Sequence, residues 1–283
     1  MAGIHVVTDS TCDLPQALAD ENGITIVPLT VRFGEEEFAD RCDLSPDEFW
    51  ERCAGSDQPP QTAAPAPGRF EEVFREAFRT GADGVVCATI SAQLSATCQS
   101  ARTAVRVFGD AMPVAVIDSQ SASLGLGLIV LEAARRANGG GRLAEVTAAA
   151  EAAVRRCRVY AVLDTGVHLE RGGRMASAPA VLGSVLSIKP TVELRDGSLV
   201  PGPKQRTRSK ALRFLADCVP AGLPIEHVGV THSAAPDIDH FLGLLSRHVA
   251  REQVLVADLS PVIGAHLGPR TISVAYLRDA ATS

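Results

Sequence analysis

The sequence is short of aromatic residues and of long apolar runs. Only 4% of its 283 residues are Phe, Trp or Tyr, so the core has to be built from Ala, Val, Leu and other small or aliphatic side chains. Such a core suits a long narrow apolar cavity, and it equally suits an Ala-rich genome. No apolar run reaches the ~20 residues of a membrane span. Met1–His5 lacks the charged and apolar regions of a signal peptide, and the expected location is cytoplasmic. Positive charge is not in excess either: a net charge of −6 argues against the strongly basic face that nucleic acid requires. Seven cysteines (Cys12, Cys42, Cys53, Cys87, Cys98, Cys157 and Cys218) include no C-x-x-C pair. That leaves no zinc spacing and no disulfide framework, only reduced, mostly buried thiols. No G-x-G-x-x-G or Walker A run follows a strand, which counts against nucleotide binding.

What is present centres on Thr89–Arg102. Gly84–Ile90 is short, apolar and β-branched, as in a buried strand, and Ala96–Val107 carries a helical apolar stripe. Ser91 and Ser95 therefore sit at a strand-to-helix turn. Such turns form the ligand rim of open α/β sheets, and a helix N-terminus offers unpaired N–H groups to an anion. The same hydroxyls also suit simple capping of the helix.

The pattern repeats along the chain. A strand Ile4–Thr8 ends in Asp9-Ser10-Thr11-Cys12-Asp13, with Asp13 read as the N-cap of a helix running to about Asn22. Asp9 and Ser10 have no such simple role. Ile24–Val31 reads as one strand, Gly34–Asp40 as an exposed acidic stretch, and Ser45-Pro46-Asp47-Glu48 as a capping box. The prolines of Gln58–Gly68 exclude helix and central strand, and Thr62 is the only hydroxyl there. A helix Arg69–Arg79, a strand ending at Asp118-Ser119, an apolar helix Ala122–Ala134 and a helix Leu143–Arg156 complete a βαβ-type first half. The second half opens with strand Arg158–Leu163, followed by Arg171-Gly172-Gly173-Arg174, an apolar helix Ala176–Ile188 and a hairpin around Asp196-Gly197. Lys204–Lys210, which includes Arg206 and Arg208, is the one dense basic run. It suits either a solvated helix start or the docking of an acidic or phosphate-bearing partner. His266 falls between glycines in what reads as a tight loop.

In this order the pieces resemble the DegV family of bacterial lipid-binding proteins across essentially the whole chain. The resemblance is carried by Thr8–Thr11, Thr62 with Pro65, Ile90–Ser95 with Gln99-Ser100-Ala101, Asp118-Ser119, Arg171–Arg174, Leu186–Pro190, Arg206-Thr207 and Ala265–Gly268. It implies a two-domain α/β fold, with a mostly parallel Rossmann-like sheet in residues 1–156 and a second α/β domain in residues 157–283. A long-chain fatty acid would lie between the domains, with the His266 loop returning to it. It also implies a carrier without catalysis of its own or any cofactor, the binding subunit of a fatty acid kinase whose separate ATP-dependent subunit makes the acyl phosphate. Transient membrane contact would serve lipid exchange. Carried over by position, Thr62, Ser91, Ser95 and His266 would hold the carboxylate, supported by Asp9, Ser10, Ser119 and Gly268, and Arg171, Arg174, Arg206 and Arg208 would face the kinase. The chain departs from the family at Ala63 and Ala64, where Ser-Gln is common, at Ala92 for Ser, and at Ala96 and Arg270 for Gly. Two hydroxyls fewer leave the carboxylate with fewer side-chain donors.

An enzyme reading remains: a Ser/His/Asp lipid ester hydrolase using Ser95 or Ser10, His266, and Asp9 or Asp118. Against it, the chain has no G-x-S-x-G elbow.

Overall fold

A computed structural model describes residues 3–56, 58–108, 112–174, 188–221 and 225–279. In chain order the first half forms β1 (Ile4–Asp9), α1 (Gln16–Glu21), β2 (Ile24–Val27), β3 (Thr30–Phe33), β4 (Glu36–Ala39), α2 (Pro46–Gly55), β5 (Gln61–Ala63) and α3 (Pro67–Arg79). It continues with β6 (Gly84–Thr89), α4 (Thr97–Val105), β7 (Val114–Asp118), α5 (Leu124–Asn138) and α6 (Leu143–Arg156). The second half forms β8 (Cys157–Val162), α7 (Val167–Gly172), β9 (Thr191–Arg195), β10 (Ser198–Pro201), α8 (Arg208–Asp217), β11 (Ile225–His232), α9 (Ile238–Leu245), β12 (Val254–Asp258), α10 (Pro261–Leu267) and β13 (Ile272–Arg278).

The strands make an α/β fold of three sheets. One is parallel, in the order β2-β1-β6-β7; β6 is buried at every residue, as a strand covered on both faces must be. A mixed six-stranded sheet runs β10-β9-β8-β13-β11-β12, and a small one runs β4-β3-β5. The helix expected over Ala122–Ala134 is α5. It is apolar nearly all round because it packs on β1 of the parallel sheet and on β11 and β13 of the mixed sheet. A single core cluster accordingly joins Val6, Val86 and Ile117 to Val159, Ala161, Leu194 and Ala275.

Several local expectations are corrected. Ile24–Val31 is two strands in different sheets, broken at Pro28, which has no N–H to give a ladder. Past a turn at Gly34, the acidic stretch forms β4 and ends in the fully buried Asp40. Within the proline-rich segment, β5 is an edge strand paired only with β3, where the flanking prolines do no harm. Asp13 does not cap α1: it lies at φ 53 after a 3₁₀ turn, and its carboxylate points into the core. His266 is on a helix rather than in a loop, because Ser260-Pro261 is itself a helix-start signal and α10 begins there. The helix expected over Ala176–Ile188 lies almost wholly outside the described residues. The hairpin is present, with Asp196 and Gly197 both at positive φ as a type I′ turn requires.

Candidate functional site

A cavity of about 180 Å³ lies between the parallel and mixed sheets. A lone buried water needs only ~10–15 Å³, so this is space for a ligand rather than a packing defect. Its floor is the mixed sheet, through Val159, Ala161, Val192, Leu194 and Leu199. The β6–α4 loop adds Ile90 and Leu94, and α10 contributes Val262, Ile263 and Leu267. Thr62, Ser95, Arg174 and His266 supply the polar part of the lining, with Ser123 and Ser273 also reaching it.

Thr62 and His266 are 204 residues apart, and the fold brings them together: Thr62 Oγ1 lies 2.9 Å from His266 Nε2. Thr62 is held on β5, paired with Val31, and His266 projects from the last turn of α10. Burial, with the Arg174 guanidinium adding to it, pushes the His266 pKa down to about 4, so the imidazole is neutral near pH 7. Its Nδ1 is buried without a hydrogen-bond partner. Gly172, at the end of α7, lies so close that a Cβ there would stand 2.5 Å from Nδ1.

The Ser95 hydroxyl accepts from the Thr97 amide at 3.2 Å just before α4, and Ser95 also lines the cavity. Ser91 is fully buried and is not part of the lining; its hydroxyl donates to the Gly197 carbonyl at 2.6 Å. That bond ties the β9–β10 hairpin to the β6–α4 loop.

The proposed supporting residues lie back from the cavity. Asp9 accepts from the Ile90 amide at 2.8 Å and the Thr11 amide at 3.1 Å, and Ser10 donates to Asp40 at 2.6 Å. The Ser119 hydroxyl bonds within its own turn, donating to the Ser121 carbonyl and accepting from the Ser121 amide. Gly268 ends α10 at φ 84, packed against His168. Arg270 nearby holds φ 59, a backbone state that glycine adopts without strain.

The arginines separate. Arg171 and Arg206 are exposed, and Arg174 is exposed yet lines the cavity. Arg208 is not on an open face: it makes a two-pronged pair with Asp237 at 2.8 and 2.9 Å, with its side chain only 13% exposed.

Among the described residues the candidate side chains do not assemble a Ser/His/Asp relay. His266 Nε2 faces Thr62 and its Nδ1 faces no carboxylate, while Asp9 and Asp118 are engaged by backbone amides. Among the described residues no cluster of His, Cys, Asp or Glu could hold a metal ion, and no helix is long and apolar enough to cross a membrane. The arrangement suits an amphiphile: an apolar trough for a tail and, at Thr62, Ser95, His266 and Arg174, donors for a head. Sequence reasoning missed Ser123, Ser273 and the Val159, Leu194 and Leu199 side chains. Alternation marks one face of each strand as buried, but only strand pairing shows that these faces share a floor.

A model of the DegV family of uncharacterised proteins matches residues 3–279. A DegV domain-containing protein of Streptomyces coelicolor is 36% identical over 276 residues, which is 96% of this chain and 97% of that one. A DegV family protein from Thermus thermophilus, whose structure is described for its fatty acid binding, is 33% identical and superposes with a TM-score of 0.87 over 98% of this chain and 100% of that one. The structure of DegV from Bacillus subtilis, a fatty acid binding protein, gives a TM-score of 0.85 at 29% identity over 99% of this chain and 100% of that one.

Proposed function

This chain belongs to the DegV family, and on that footing we propose that it binds a long-chain fatty acid in the cavity between its sheets and presents the carboxylate to a separate ATP-dependent kinase subunit. The carrying observation is the lining: aliphatic side chains of the mixed sheet, the β6–α4 loop and α10, with Thr62, Ser95, His266 and Arg174 as donors on the same cavity. The lobes divide at residues 1–156 and 157–283, between α6 and β8, since the parallel sheet draws on the first range and the mixed sheet on the second.

Magnitudes assign the parts. At ~0.8 kcal/mol per buried methylene, a tail of roughly fifteen carbons contributes on the order of 12 kcal/mol as an upper bound. One hydrogen bond to a charged head contributes ~1.5–3 kcal/mol. The trough sets affinity, and the polar group sets where the carboxylate points. A carboxylate arriving beside neutral His266 favours its protonation, so the imidazole either donates through Nε2 directly or becomes the counter-charge. Phosphoryl transfer from ATP to a carboxylate oxygen, giving ADP and acyl phosphate, belongs to the partner; exposed Arg171, Arg174 and Arg206 supply a basic face for it.

The direct test is mass spectrometry of an organic extract of the native protein. Free fatty acid near one per chain is the expected result; an extract without it, or Ser95-dependent cleavage of a long-chain ester, overturns the reading. A second expectation concerns Thr62→Ala. Losing one head contact leaves most of the tail energy, so retention of the acid should weaken by roughly ten- to a hundredfold, while turnover by a cognate kinase falls further because the carboxylate is no longer aimed. A variant that sheds its lipid but turns over normally when resupplied would contradict this.

A further inference from the structure

The lipid cavity meets a second cleft at one pair of side chains. Val159 on β8 and Leu194 on β9 are register partners, and both line both spaces. Leu199 on β10 lies opposite Leu194 in turn. These three branched side chains form a row across the floor. The adjacent row toward α10, ~6.6 Å away along the strands, is Ser273, Ala161 and Val192. The floor therefore steps up from Ala161 to Val159 on β8 and from Val192 to Leu194 on β9, and Leu199 continues the higher row. Val159 has nowhere to retreat, because α5 approaches it at Gly125, where any Cβ would collide with it.

Beyond the step the surroundings change sign in polarity. The second cleft, about 750 Å³, is lined by charged groups that include Arg102, Asp118, Arg158 and Glu193. A methylene pushed into it would displace water from charged side chains without gaining apolar neighbours, whereas short of the step the lining is mostly aliphatic. We propose that the Val159–Leu194–Leu199 row is the stop for the acyl tail and so fixes the chain length this protein accepts. The proposal rests on the fatty acid reading above and deepens it.

The test offers the purified full chain an equimolar series of straight-chain saturated acids and reads the bound ones by mass spectrometry. One additional buried methylene is worth about fourfold in affinity. Leu194→Ala, which lowers the step, should therefore enrich an acid two carbons longer than the wild-type preference by about fifteenfold. Val159→Leu, which raises it, should shift the preference toward shorter acids. Should Leu194→Ala fail to fold, Val159→Leu decides alone. A folded variant that binds acids with the wild-type length profile overturns the proposal. Wild-type protein that takes up none of the acids instead fails the fatty acid reading itself, and the proposal falls with it.

Discussion

Arg174→Glu is expected to stop acyl phosphate formation by a cognate kinase subunit and also to weaken retention of the acid by tenfold or more. The two losses have different origins. Arg174 is exposed, and on a docking face its reversal would set like charges against each other, which costs several kcal/mol of association. The same side chain also lines the cavity, with its guanidinium donating to the Gly172 carbonyl at 2.6 Å and lowering the pKa of His266. A field felt by the imidazole is felt by a head group beside it, and a head contact of this kind is worth ~1.5–3 kcal/mol. The family resemblance alone implies a docking residue that spares lipid binding; the place of Arg174 at the cavity leads to the second expected loss. Arg171→Glu provides the contrast. Arg171 is exposed at the end of α7 and outside the lining, so its reversal should leave retention unchanged. Equal loss of retention in both variants, measured by competition with a labelled acid, would reduce the effect to general surface potential; unchanged turnover in Arg174→Glu would remove it from the docking face.

The family is legible in an ordered set of short motifs such as Thr8–Thr11, Asp118-Ser119 and Ala265–Gly268, and the α/β architecture in local patterns: β-branched runs such as Gly84–Thr89, a capping box at Ser45, a turn at Asp196-Gly197. The loop hydroxyls were legible too, though not what each one does. Ser91 and Ser95 stand four residues apart in one turn, yet Ser91 turns away to the Gly197 carbonyl and Ser95 faces the cavity. That difference depends on where a hairpin a hundred residues downstream comes to rest. The pairing of Thr62 with His266 is likewise invisible without the fold, since each is an isolated polar residue in its own segment. Asp13 was misread for a related reason. A local rule made it a helix cap, but the tertiary structure offers its carboxylate better partners in Ser123 at 2.6 Å and the Ser260 amide at 3.0 Å.

Three buried acids beneath this site predict an unusual dependence of stability on pH. Asp9, Asp13 and Asp40 are all essentially without solvent contact. Burial raises Asp9 and Asp13 from the ordinary 3.8 to about 6, and Asp40 to about 7, against the lowering effect of the hydroxyls and amides that face them and, for Asp13 and Asp40, of Arg41. In the unfolded chain each ionises near 3.8; the folded chain keeps each proton until about pH 6 to 7. Between those limits the native state binds more protons, so stability is greatest below the unfolded value and is lost as pH rises through the folded one. At ~1.4 kcal/mol for each tenfold, the loss is on the order of 3 kcal/mol apiece for Asp9 and Asp13 and about 4 for Asp40 before any relaxation. His266 acts in the opposite sense, since its pKa is lowered to about 4 and its burial costs stability as pH falls below 6.5, but it is one group against three. The thermal midpoint should therefore drop between about pH 4 and about pH 7, where proteins whose carboxylates are paired in the native state gain stability instead. Asp40→Asn, a neutral group of the same shape that can still bond Ser10, should match wild type near the lower pH and exceed it by several degrees near the upper one. A midpoint that rises across this range in wild type, with Asp40→Asn running parallel, would show that these carboxylates ionise freely in the folded protein.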